Sequence, residues 1–363
     1  MFTVIANRMK RILMAKRPAT IIHVAEKARV SVKTVSRVLN NEPNVTPDLK
    51  ERVLAAVDKL GYSPSKAART MAGSRSYLLV AFNDRRLTLD NWRSERGNEW
   101  IDQMLYGAML RCEQSGYHLM FELVDRESDQ LEKQITAVLS SLQPDGVILT
   151  PPNCEDPVVL GALKKRNIPF VRLNTPMRGQ GARVYMDDRA AARQATKHLL
   201  GLGHTRIGMI AGDYRFSSSV QRVEAFLATM EAAGHPVPDA RVFKGDFTFE
   251  AGVAGAQALL DLAEPPSAIM ASNDQMALGV VSVAQARGLA VPGDLSILSY
   301  DDTIGVRLSV PPLTAVRQPV AKMAEKGADM LINASAAGEK VISGSTLVPF
   351  ELMVRASTGP APR

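Results

Sequence analysis

From residue 77 onward, apolar runs of strand length recur at short intervals, with longer stretches of mixed polarity between them. The runs fall at 78–82, 118–124, 146–150, 170–174, 207–212, 242–246, 268–273 and 295–300, and amphipathic stretches such as 130–142 and 221–233 separate most of them. Strands that alternate with helices pair in parallel, because each helix carries the chain back across the face of the sheet to start the next strand in the same direction. So many units exceed one sheet, and two lobes are expected. In such folds ligands bind beyond the carboxyl ends of the strands, so the residues just after each run are the first candidates for a site.

The first fifth of the chain differs from this body in its charge. Residues 1–75 hold 15 Lys and Arg against 5 Asp and Glu, whereas residues 76–363 hold 29 against 32. The formal net charge of +7 therefore originates almost wholly in a small basic module. A basic module joined to a near-neutral body is the electrostatic footprint of a head that binds a polyanion. Within it, 21–28 reads as a short helix, Arg29-Val30-Ser31 as a tight turn, and 32–40 as a second helix with Ser31 at its cap. On the second helix Val35, Val38 and Leu39 share a packing side, while Lys33, Arg37 and Asn40 recur at i, i+4 and i+7 on another. A helix fits the major groove, and Lys or Arg on its free face can bond guanine O6 and N7. A third helix starts at Pro47, with Thr46 at the cap. It runs through Leu49, Val53, Val57 and Leu60 to a Gly61 stop and closes a three-helix core.

The residues AEKARVSVKTVSRVLN, 25–40, closely resemble the helix-turn-helix of the lactose/galactose repressor (LacI/GalR) family of bacterial transcription regulators. The likeness continues through GYSPSKAARTMAG, 61–73, which is similar to that family's hinge segment, and through the body. Arg29 stands where the family often has glycine, and a left-handed backbone there would cost a non-glycine residue roughly 1–2 kcal/mol. The resemblance implies that Val32, Lys33, Thr34, Ser36, Arg37 and Asn40 contact operator DNA, together with Ser65, Ala68 and Met71 of the hinge. Ser63 and Pro64 start a helix that Gly73 ends, too short to persist alone in water. In the family two hinge helices pair across a dimer and wedge an apolar side chain into the minor groove. Met71 takes that place here, where leucine is common.

For the body, the resemblance implies a two-lobed periplasmic-binding-protein-like core whose interlobe cleft holds a small effector. Asn273 and Asp301, within NDQMALG at 273–279 and SYDD at 299–302, match family signatures for effector contact. Arg222 takes the position of the family's ligand-binding arginine, with Ala225 in place of its usual glycine, and Phe247 that of a ring stacked on the ligand. An arginine, a carboxylate, an amide and an aromatic face suit a polyhydroxylated ring, so a carbohydrate effector is expected. Asp302 and Gln275 could equally cap and brace strand ends. The polar segment 83–98 reads as a long loop opening onto the cleft, which makes Trp92 and Trp100, the chain's two tryptophans, candidate ligand contacts.

The expected architecture is an all-α helix-turn-helix head (19–61), a hinge helix and linker (62–75), and an α/β two-lobed core with parallel sheets (76–358). A basic extension (1–18) precedes them, with Met14 nearer the usual beginning of such heads. The partners expected are a near-palindromic operator, a small carbohydrate effector and a second copy of the chain. The last strand-like stretch, 347–354, is followed by no heptads, which points to a dimer rather than a coiled-coil tetramer. Two alternatives stay open: a purine-type regulator in which ligand tightens operator binding, and a solute-binding protein for sugar uptake, which the core alone would support.

Catalytic, metal and membrane readings fail on the sequence. Gly201-Leu202-Gly203 begins a dinucleotide-like pattern, but Arg206 replaces the last glycine and the run precedes a strand. Ser63 and Lys66 form Ser-x-x-Lys inside the hinge, without the other elements of a penicillin-recognising site. The five histidines and two cysteines, Cys112 and Cys154, form no ligand-spaced set, so neither metal nor cofactor is expected. No run approaches the ~20 apolar residues of a membrane helix, and Arg8, Lys10 and Arg11 occupy the place of a signal peptide's apolar core. A cytoplasmic regulator is the resulting expectation.

Overall fold

The computed structural model describes residues 19–39, 45–62, 75–94 and 98–362, and the chain divides into two units, Met1–Ser76 and Tyr77–Arg363. The expected extension 1–18, Asn40, and the hinge residues Ser65, Ala68 and Met71 lie outside the described residues.

The first unit carries α1 (Ile21–Ala28), α2 (Val32–Leu39) and α3 (Pro47–Leu60). Local chemistry sets their ends. Thr20 and His23 form a reciprocal capping box at the start of α1, and the Ser31 hydroxyl accepts from the Thr34 amide at 3.1 Å to open α2. Arg29 ends α1 in the left-handed conformation, φ 54° and ψ 49°, as the sequence requires for so tight a turn. Thr46 precedes Pro47 with extended backbone, but its hydroxyl makes no capping bond. Val24, Ala25, Ala28, Val35, Val38, Val53, Ala56 and Tyr62 form the buried core of the three helices.

The second unit holds two sheets. Its chain runs through β1 (Leu78–Asp84), α4 (Arg85–Arg93), α5 (Glu99–Gln114), β2 (His118–Val124), α6 (Leu131–Leu142), β3 (Gly146–Leu149), α7 (Pro157–Lys165), β4 (Phe170–Leu173) and β5 (Ala182–Tyr185). It then builds the other lobe with α8 (Asp188–Gly201), β6 (Ile207–Ala211), α9 (Ser217–Ala232), β7 (Val242–Lys244), α10 (Phe249–Leu260), β8 (Ala268–Ala271), α11 (Asp274–Ala286), β9 (Ser296–Asp301), α12 (Ile304–Leu308) and β10 (Thr314–Arg317). Last come α13 (Val320–Ala337), β11 (Ser345–Leu347) and β12 (Glu351–Met353). The first sheet has the order β11-β5-β4-β3-β1-β2 and the second β12-β10-β9-β8-β6-β7. All pairings are parallel except that of β12 with β10. The expectation of parallel sheets is corrected at this one edge.

Because β11 belongs to the first sheet, the chain passes between the lobes three times, at residues 186–187, 318–319 and 348–350. Helix α13 follows the second crossing and packs on β3, β4 and β5 and along α5. The α5–α13 approach is close enough that a Cβ at Gly107 would lie 1.9 Å from the Ala321 carbonyl oxygen, so glycine is required there.

Four expectations need revision. Within the expected loop 83–98, residues 85–93 form a helix: Asp84 caps α4 by accepting from the Leu87 amide at 2.8 Å, and the polarity of α4 is that of a surface helix. The run 347–354 is two strands in two sheets, since the crossing at 348–350 intervenes. The strands 182–185 and 314–317 are absent from the expected set, both of them four residues long and each containing an arginine. The core also continues past 358. The Gly359 carbonyl bonds the buried His204 ring at 3.0 Å, and the Ala361 amide donates to the Leu202 carbonyl.

Candidate functional site

On the head, α2 buries Val35 and Val38 and leaves Val32, Lys33 and Arg37 exposed, with Thr34 and Ser36 half-buried. Lys33 and Arg37 are one helical turn apart and lie on the same side of α2. The turn that presents this helix is held from α3. Arg52 donates through Nη2 to the carbonyl of Ala28 at 2.7 Å and to that of Arg29 at 3.3 Å. A cation at the carboxyl end of a helix satisfies carbonyls that have no partner in the helix and meets the negative end of its dipole. No local pattern marks Arg52 for this role, because the contact spans 23 residues.

The second unit opens a cleft of about 310 Å³ beyond the carboxyl ends of its strands. One lobe contributes Leu87, Asp90 and Asn91 from α4, Asn98 to Ile101 at the start of α5, Pro151 after β3 and Asn174 after β4. The other contributes Phe216, Ser218 and Arg222, then Asp246 to Thr248 after β7, Ser272 to Gln275 after β8, Asp301 and Thr303 after β9, and Gln318 after β10. Of the residues expected at an effector, Arg222, Phe247, Asn273, Asp301 and Trp100 all line this cleft.

Arg222 is buried and fixed. Its Nε and Nη2 both bond Asp188 Oδ1 at 2.8 Å, its Nη1 donates to the Ser272 carbonyl at 2.8 Å, and its guanidinium carbon lies 4.3 Å from the centre of the Tyr300 ring. Burial raises the Asp188 pKa and Arg222 opposes the rise. Burial works against the charge on Arg222 too, but Asp188, Tyr300 and Asp301 outweigh it and hold the guanidinium above its ordinary value. Asp188 escaped the sequence reading, because it is 34 residues from its partner and lies on another helix.

Asp301 has φ 99° and accepts from Gln318 Nε2 at 2.5 Å across the second crossing between the lobes. Burial pushes its carboxyl up to about 6, with Arg222 acting in the opposite direction. Asp274 beside it is also raised by burial and by Asp301, while the Ser299 hydroxyl and the Thr303 amide donate to it. Asp302 takes the bracing role that was one of its two expected readings: its side chain is fully buried between Arg307, Arg317 and Arg355. Gln275, by contrast, lines the cleft and reaches Glu99 Oε1 of the other lobe at 3.3 Å.

Asn273 acts on the protein before it acts on any ligand. Its Oδ1 accepts from the Met276 amide at 2.9 Å to cap α11, and its Nδ2 donates to the Phe247 carbonyl at 2.8 Å. That bond fastens Phe247 in its left-handed backbone, φ 71°, with its ring edge-on to Phe216 at 5.4 Å. Phe216 is thus a second aromatic wall that the sequence did not disclose. Trp92 corrects the expectation that both tryptophans face ligand. Leu87, Asp90 and Asn91 share the cleft side of α4, and the next residue is turned ~100° away. Trp92 is 51% exposed and sits against Phe121 of β2, ring centres 6.1 Å apart.

Among the described residues no cluster of His, Cys, Asp or Glu could hold a metal ion, and no helix is long and apolar enough to cross a membrane. His204 is a satisfied core residue between Ser267, Ser296 and Gly359. What the cleft offers is a fixed guanidinium, carboxylates, amides and aromatic walls, an arrangement of groups suited to holding a polar ligand.

Residues 20–65 match the profile of bacterial regulatory proteins of the lacI family, and residues 196–358 that of a periplasmic binding protein-like domain. The transcriptional repressor CytR of Escherichia coli is 32% identical over 346 residues, covering 95% of this chain and 97% of its own length. The transcriptional regulator CelR of Thermobifida fusca is 31% identical over 345 residues, 93% of this chain and 96% of CelR. Among solved structures, the lac repressor dimer bound to operator and the anti-inducer ONPF superposes with a TM-score of 0.77 at 26% identity, covering 94% of this chain and all of that one. A CelR–cellobiose complex gives a TM-score of 0.69 at 28% identity over 93% and 99% of the two chains.

Proposed function

Since the chain belongs to the lacI family of bacterial regulatory proteins, we propose that its affinity for operator DNA is set by a small carbohydrate bound in the cleft of its second unit. The chain is a DNA-binding transcriptional regulator and not an enzyme. In this reading Lys33 and Arg37 read base edges in the major groove, and Val32, Thr34, Ser36 and Asn40 position the helix. Ser65, Ala68 and Met71 engage the operator centre. The working form is a homodimer in the cytoplasm, as two heads on a symmetric dimer meet two inverted half-sites.

The observation that carries the carbohydrate reading is the convergence of Arg222, Asp301 and the Phe216–Phe247 walls on one cleft of about 310 Å³. That volume is at the lower end of the roughly 300–1,000 Å³ typical of small-ligand sites. A sugar ring presents hydroxyls that both donate and accept, and C–H faces that pack on aromatic rings. Gln275 bonds Glu99 across the lobes and Gln318, at the second crossing, bonds Asp301, so a ligand that touches these groups acts on the contact between lobes and on the crossing. A change of about 1–3 kcal/mol in operator affinity would suffice for a switch.

The test combines selection and titration. Duplexes selected from a random pool by the full chain are expected to contain inverted half-sites, and Lys33→Ala and Arg37→Ala should each lose roughly 1–3 kcal/mol of discrimination at particular base pairs. A calorimetric sugar panel should then find a ligand that shifts operator binding, with Asp301→Ala weakening it about tenfold or more. Binding of a nucleobase, with no response to any sugar, would sink the carbohydrate reading in favour of a purine-type regulator.

A further inference from the structure

A second cavity, of about 340 Å³, lies on the lobe that holds β1 to β5, where β4, β5 and β11 run side by side. None of the residues lining it lines the cleft. Arg172, Arg183 and Ser345 are register partners in one row across the three strands, and Arg178 stands exposed on the segment between β4 and β5.

Two of these arginines are buried, Arg172 at 2% and Arg183 at 7% exposure. Arg222 at similar depth has Asp188 at 2.8 Å, but among the described residues neither Arg172 nor Arg183 is ion-paired. Their partners are neutral. Arg172 donates from Nη2 to the Met177 carbonyl at 2.9 Å and leaves its buried Nε without a partner. Arg183 donates to Ser345 Oγ at 2.8 Å and to the Pro176 carbonyl at 2.6 Å, and its guanidinium carbon lies 4.1 Å from the centre of the Tyr185 ring. Glu155, the carboxylate that acts on Arg172 from nearby, accepts from the hydroxyls of Thr175 and Ser217, both at 2.6 Å. Burial pushes the Arg172 pKa down, and the charge on Arg183 pushes it down further.

Neighbouring buried guanidinium groups that are not ion-paired are destabilising, because each has lost its hydration and repels the other. An oxyanion removes both penalties, and the planar fork of arginine matches the oxygen spacing of phosphate. A Cβ at Gly179 would stand 3.4 Å from Arg172 Nη2, and one at Gly344 would meet nothing within 4 Å, so glycine at these two rim positions leaves the guanidinium open to approach. We propose that this pocket binds a phosphate group, free or as the monoester of a small metabolite, at a site separate from the cleft.

Calorimetric titration of the full chain with inorganic phosphate and with glycerol 3-phosphate, a monoester without a sugar ring, ionic strength held constant with chloride, tests this. Saturable binding is expected for at least one, and which of the two binds more tightly identifies the free ion or the ester as the ligand. Arg178→Ala, an exposed change that leaves the core intact, should weaken binding at least tenfold, and Arg172→Met should do the same. Lys33→Ala/Arg37→Ala, which removes charge from the basic head, and Asp301→Ala in the cleft should leave it unchanged. Failure of both probes to bind, or equal binding by the parent and Arg178→Ala, overturns the assignment.

Discussion

Replacing Asp188 by alanine would strand the Arg222 guanidinium in a site where both side chains are only 3% exposed. What remains around it is the Ser272 carbonyl at 2.8 Å, the face of Tyr300, and the Asp301 carboxyl, which acts on it without forming an ion pair. Removing one member of a buried pair typically costs about 3–5 kcal/mol, because the survivor keeps its desolvation penalty and loses its counter-ion. For a unit of this size, at about 2 °C per kcal/mol, the second unit should melt roughly 6–10 °C lower in calorimetry. Replacing both partners, Asp188→Ala/Arg222→Met, should recover most of that loss, since an apolar pair of similar bulk is close to neutral. Ligand affinity should separate from stability in the double variant: the fold returns, but a cleft ligand that uses Arg222 stays weakened about tenfold or more. A single variant that melts within about 1 °C of the parent would refute the ion-pair argument. A double variant that binds cleft ligand like the parent would remove Arg222 from the binding site.

Three further perturbations follow from the geometry. Arg29→Gly places the residue suited to φ 54° in the turn between α1 and α2 and should raise the stability of the head by roughly 1 kcal/mol; a lower melting midpoint for the head would contradict this. Gly212→Ala sets a Cβ 2.1 Å from the Phe247 ring and 2.6 Å from Ser219 Oγ, so the ring must leave its place and cleft-ligand affinity should fall about tenfold, whereas an unchanged affinity would show that this wall is not used. Asp301, raised from 3.8 to about 6, binds its proton more tightly folded than unfolded. Its contribution is therefore full below about pH 4 and is lost as pH rises through 6, by up to about 3 kcal/mol, and Asp301→Asn should flatten that slope in melting curves; parallel slopes would refute it.

The head is legible in the sequence because its helix ends are made by local chemistry. Ser31, Pro47 and Gly61 each act within a few residues, and the left-handed Arg29 follows from the shortness of the turn. Long apolar strands such as β1 were equally plain. The readings that failed depend on packing. Arg183 interrupts the apolar pattern of β5 and hides the strand, although its partner on β4, Arg172, explains both residues once they are adjacent. Trp92 was misdirected because the phase of α4, not its composition, decides which side chains meet the cleft. Asp188, Phe216 and Gln318 belong to the same site as Arg222, Phe247 and Asp301, but they reach it from other elements, and only the folded topology brings them together.

The order of the strands has a consequence for a chain made from one end. The sheet that begins with β1 receives its outer strand, β11, and the covering helix α13 only after β6 to β10 of the other lobe have been written, up to residue 317. A nascent chain can close β6 to β10 around their own core while Val171 and Leu173, which α13 will cover at Gly327, still face water. Ribosomal pausing or early release between residues 317 and 347 would leave a half-built sheet with an open edge and an apolar face. That is the kind of intermediate chaperones retain, and it makes this interval the most hazardous part of the protein's synthesis.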